Sequence, residues 1–90
     1  MAEEKKTEPM EPSIITIIMM LSGSAIGYLK AAADKEKQDK KKENLQLARF
    51  TIDLLAVLEE KTKGNLEEEE KKTLENVLAD LRLQYIKATG

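Results

Sequence analysis

The chain has no cysteine and no histidine. The first absence excludes disulfides and thiolate metal sites, and the second removes the commonest metal ligand and general base. Tryptophan is also missing, and aromatic residues make up 3% of the sequence, as Tyr28, Phe50 and Tyr85. That leaves almost nothing for base stacking or for a sugar-binding platform. Neither sign of charge dominates: 36% of residues are charged and the net charge is −2, so no global field draws nucleic acid. No P-loop, dinucleotide fingerprint or nucleophile elbow is present, and Ser22-Gly23-Ser24 sits in an apolar run with no histidine to serve a hydroxyl. These absences lead us to expect a protein that is not an enzyme and that carries no metal and no cofactor.

What is present is 90 residues of mostly lysine, glutamate and aliphatic side chains. Such a length allows one small domain, close to the limit at which a single core stabilises itself. With disulfides excluded, packing or oligomerisation must supply the remaining stability. Abundant Lys and Glu beside absent Cys and His also resemble a thermophile's composition.

Residues 1–12 are polar and broken by Pro9 and Pro12, so a disordered tail is expected there. Its four glutamates, Glu3, Glu4, Glu8 and Glu11, outnumber Lys5 and Lys6, which argues against a secretory signal. Ser13 is a suitable N-cap for an apolar helix over residues 13–33. Residues 34–43 are wholly polar and read as a charged linker, either solvated or continuing the helix. Its lysines Lys40, Lys41 and Lys42 are diluted by Asp39 and Glu43, so no contact with nucleic acid is expected.

Asn44 is placed to cap a second helix, 45–63. Leu45, Ala48, Ile52, Leu55 and Leu58 fall on one stripe of it, widened by Leu47, Phe50, Leu54 and Val57. A third helix, 66–88, carries Leu74, Val77, Leu78, Leu81 and Tyr85 on its main face, while Ala79, Leu83 and Ile86 lie on a different side. Between the two helices a stop is followed at once by a start. Lys61 and Lys63 match the negative end of one dipole, and Gly64 supplies a left-handed residue. Asn65 then caps the next helix, with Glu68 at the capping-box position and Glu67 to Glu70 at the positive dipole end. Those glutamates point in successive directions around a helix and do not converge on a cation. They also make helix three a poor DNA reader, since phosphate would meet them first.

The first helix raises the question of what covers it. It is apolar nearly all round, and a hairpin of this size covers only one side. Thr16, Met20, Gly23, Gly27 and Ala31 form a mostly small-residue stripe along which a second helix can approach closely. This favours a homo-oligomer joined through that helix, in the cytoplasm. The alternative is a transmembrane or membrane-associated helix over 14–33 at the inner membrane. Against it stand Lys30, Ser22, Ser24 and the lack of an aromatic belt.

Five polar residues are placed for something specific: Arg49, Asp53, Asn76, Asp80 and Arg82. In a hairpin turning at Gly64, Arg49 and Asp80 are nearly equidistant from the turn, as are Asp53 and Asn76, so each pair is expected to meet across the helices, and Arg49 and Asp53 are also an i, i+4 pair. This reads first as an ion-pair network that holds helix register, and second as a small binding site.

Thr51-Ile52-Asp53-Leu54-Leu55, the run Leu58-Glu59-Glu60-Lys61-Thr62-Lys63-Gly64-Asn65-Leu66, then Glu68-Glu69, Leu74, Asp80-Leu81-Arg82 and Tyr85-Ile86 resemble a small bacterial family known as domain of unknown function eighteen-forty-four. The resemblance is concentrated between Ala48 and Ile86. It implies a short helical protein and supplies no catalytic residue. The expected architecture is all-α: an apolar N-terminal helix and a long antiparallel hairpin, assembled as a homo-oligomeric helical bundle. Its expected role is protein–protein interaction or scaffolding, with the face of Leu83 and Ile86 making a second contact, to the first helix or to another subunit, or presented to a partner.

Overall fold

The computed structural model describes residues 12–89; all of the expected tail except Pro12 lies outside them. Three helices carry the fold: α1 (Ile14–Ala33), α2 (Lys41–Lys61) and α3 (Glu68–Thr89). A short 3₁₀ segment, Lys35–Lys40, joins the first two. Among the described residues there is no strand, so the all-α expectation holds.

α1 starts where its cap residue places it. The Ser13 hydroxyl accepts from the Thr16 N–H at 3.2 Å, which occupies a donor that has no partner inside the helix. At the other end the Asp34 N–H donates to the Ala31 carbonyl at 3.2 Å. The Gln38 amide reaches back to the carbonyls of Asp34 at 2.8 Å and Ala32 at 3.3 Å. One side chain thus serves the Ala32 carbonyl, which the helix end leaves open, and shares the Asp34 carbonyl with the Lys37 N–H.

The polar stretch after α1 is shorter than expected as a linker. Asp34 accepts from the Glu36 N–H at 2.9 Å, opening the 3₁₀ segment, and Lys37 breaks it with φ −122 and ψ 33. α2 then begins at Lys41, so Asn44 lies inside the helix instead of capping it. Lys and Glu are good helix formers, and nothing in Lys41-Lys42-Glu43 opposes extension by a turn.

The hinge shows a similar displacement. Gly64 has φ 87, the left-handed conformation expected of it. The Asn65 N–H donates to the Thr62 carbonyl at 2.8 Å, and Leu66 packs against the core from outside any helix. The start of α3 therefore moves two residues along. Glu67, not Asn65, takes the cap position: its carbonyl accepts from the Lys71 N–H at 2.9 Å, and its N–H donates to Glu70 Oε1 at 2.8 Å. The capping-box carboxylate is Glu70, not Glu68.

The core is small and drawn equally from the helices. Ile18, Ala25 and Leu29 of α1 meet Ala48, Ile52 and Leu55 of α2 and Leu74, Leu78 and Leu81 of α3. α1 touches both arms of the hairpin, α2 more extensively than α3. Thr51 is the one buried polar residue among the described residues, and its hydroxyl donates to the Leu47 carbonyl at 2.8 Å. Among the described residues no buried side-chain polar atom lacks a partner. The Cα atoms span 15 Å in the thinnest direction, room for about two layers of helices packed roughly 8–10 Å apart. A body this thin leaves each helix with an uncovered side.

Candidate interaction surfaces

On α1 the buried positions are Ile18, Ala25, Leu29 and Ala32, which share one face. The opposite face carries the small-residue stripe. Met20 is 62% exposed, Gly23 and Gly27 are exposed, and Thr16 is half-buried. A methyl group built on Gly23 or Gly27 would meet no atom within 4 Å. These glycines therefore satisfy no close approach within the chain. Ile17 and Met19 flank the stripe and are exposed as well.

α1 is, among the described residues, the helix long and apolar enough to cross a membrane. Its mean hydropathy is 1.6 over 18 residues, of which only 17% are buried. A core helix of a soluble protein can be equally apolar but is covered on most sides, whereas this one is buried on one face, half-buried at its flanks and exposed on the other face.

Two further apolar surfaces lie on the hairpin. Leu83 and Ile86, on the side of α3 away from Leu74, Leu78 and Leu81, are 51% and 63% exposed. The other surface is a correction to the expected core. Leu47, Phe50, Leu54 and Val57 do not widen the buried stripe of α2; all four are exposed, because α1 and α3 occupy only the face bearing Ala48, Ile52 and Leu55. Their alternation by three and four residues was the signal available in the sequence, since it defines a seam distinct from the buried one.

The polar residues are brought together only in part. Arg49 pairs with Asp53 at 3.9 Å within α2, both side chains being well exposed. Such an i, i+4 pair contributes about 0.3–0.5 kcal/mol. Asp80 accepts from the Gln84 amide at 2.8 Å within α3, and Asn76 is exposed. Among the described residues no ion pair joins α2 to α3, so the expected cross-hairpin pairing of Arg49 with Asp80 is not formed. Arg82 instead shares with Arg49, Ile52, Asp53, Tyr85 and Ile86 an open groove of about 300 Å³. No group of three His, Cys, Asp or Glu among the described residues is placed to hold a metal ion.

The family that matches the chain is described as a domain of unknown function, DUF1844, and the match covers residues 11–87. It takes in α1 and the linker as well as the hairpin. No curated protein and no solved structure matches.

Proposed function

The chain belongs to the DUF1844 family, and from that premise we propose that it is a non-catalytic protein–protein interaction or scaffolding module that self-associates through α1. One observation carries the reading: α1 is apolar nearly all round, yet its own chain covers one face and leaves Met20, Gly23 and Gly27 in the open. Leaving that much apolar surface in water costs roughly 25 cal/mol per Å², and a second copy of α1 removes it. Glycines along the stripe let two such helices come close. Without histidine or cysteine in the sequence, an interaction role needs fewer groups than a catalytic one. The module would work in the cytoplasm, offering Leu83 and Ile86 to a protein partner or to another subunit.

The second reading is supported by the hydropathy and low burial of α1: the helix inserts in a membrane and the hairpin stays in water. Light scattering on the full-length chain without detergent, across a range of concentrations, separates the two. A discrete soluble oligomer that Gly23→Leu or Gly27→Leu dissociates supports assembly through α1. A chain that stays in solution only with detergent, and tolerates both substitutions, supports the membrane reading.

A further inference from the structure

Along α2, Glu43, Leu47, Phe50, Leu54, Val57 and Lys61 follow one another at steps that alternate between four and three residues, the spacing of a coiled-coil seam. All six are exposed. The apolar members range from 38% exposed at Leu54 to 60% at Phe50, and the seam spans roughly 27 Å at 1.5 Å per residue. Its two ends carry opposite charges, and neither Glu43 nor Lys61 has an ion-pair partner among the described residues.

Read backwards from Lys61, the order of steps is unchanged. A second copy of α2 running antiparallel therefore sets Glu43 against Lys61, Leu47 against Val57 and Phe50 against Leu54. Each contact occurs twice about an axis at the level of Ile52, as a two-fold interface requires. A larger side chain meets a smaller one at both apolar levels, and each charged end meets its opposite. Parallel pairing would instead set Glu43 on Glu43 and Lys61 on Lys61. We propose that this face of α2 is the seam of an antiparallel, two-fold pair of copies of this chain, with Glu43 and Lys61 fixing its register at both ends. A foreign partner would not require the face to complement itself. The seam lies on a different helix from the α1 stripe, so the inference stands apart from association through α1.

Because the sequence has no cysteine, introduced ones report on their positions alone. Full-length Leu47→Cys and Val57→Cys chains, mixed and gently oxidised, should form a mixed disulfide dimer, and neither variant alone should cross-link. Cross-linking of Leu47→Cys with itself, or no cross-link in the mixture, overturns the antiparallel seam. A second measurement uses substitutions at exposed sites, with helicity as the control for folding. Glu43→Lys and Lys61→Glu should each weaken the pair about fivefold to thirtyfold in sedimentation equilibrium, since each replaces two attractions with two repulsions. The double variant should restore it. Loss without restoration overturns the register. Gly23→Leu should leave the cross-link intact, which distinguishes failure at α1 from failure at α2.

Discussion

The backbone N–H of Glu67 donates to the Glu70 carboxylate at 2.8 Å, and this bond marks where α3 begins. Glu70→Ala should therefore destabilise the fold by about 0.5–1 kcal/mol in chemical denaturation, through loss of a cap contact and of negative charge at the dipole's positive end. Asn65→Ala, outside the helix, should cost less than half as much. Equal costs at the two positions would place the cap elsewhere.

Gly64 sits at φ 87, and open space surrounds the site of its missing side chain. Gly64→Ala should cost about 1–2 kcal/mol from backbone strain alone, with Gly64→Asn closer to the native stability because asparagine tolerates this conformation. Thermal unfolding of the three proteins measures the order. An alanine variant as stable as the native chain would mean that the turn relaxes out of the left-handed region.

Leu78 is 2% exposed at the centre of the three-helix core. Leu78→Ala should destabilise the chain by about 2–5 kcal/mol, a large part of what so small a domain possesses. Leu83→Ala, on the exposed side of the same helix, should change monomer stability by less than about 0.5 kcal/mol. Urea denaturation of the pair tests which face of α3 is inward.

Arg49 and Asp53 meet at 3.9 Å in water. Asp53→Asn should alter stability by no more than about 0.5 kcal/mol, and added salt should shrink even that. A loss above about 2 kcal/mol would mean that the pair is buried in the working assembly, and its concentration dependence would show this.

Local chemistry was legible in the sequence wherever a short stretch of chain settles the outcome. Ser13 accepts from its own first turn and Gly64 takes the left-handed conformation, since both depend on neighbours a few residues away. The buried faces of the hairpin followed from periodicity: Ala48, Ile52 and Leu55 on α2, and Leu74, Leu78 and Leu81 on α3, recur at helical spacing because a helix can turn only one side to a neighbour. The start of α3 was displaced by tertiary structure. Leu66 is drawn to the core, so the backbone around it stays outside the helix and the cap passes from Asn65 to Glu67.

The tertiary structure also decided which apolar residues stay uncovered. Hydrophobicity says that Phe50, Leu54, Met20 and Ile86 gain by leaving water, but not whether their own chain has the helices to cover them. Three helices in a body 15 Å thick each bury one face against the others, and the rest stays exposed. The polar set divided for a related reason. Counting residues from the turn fixes how far along the hairpin Arg49 and Asp80 lie, while the rotation of each helix, set by its buried stripe, turns both outward, so each meets only the residue four along its own helix, Asp53 and Gln84. That rotation is a property of the packed core, and no single segment of the sequence carries it.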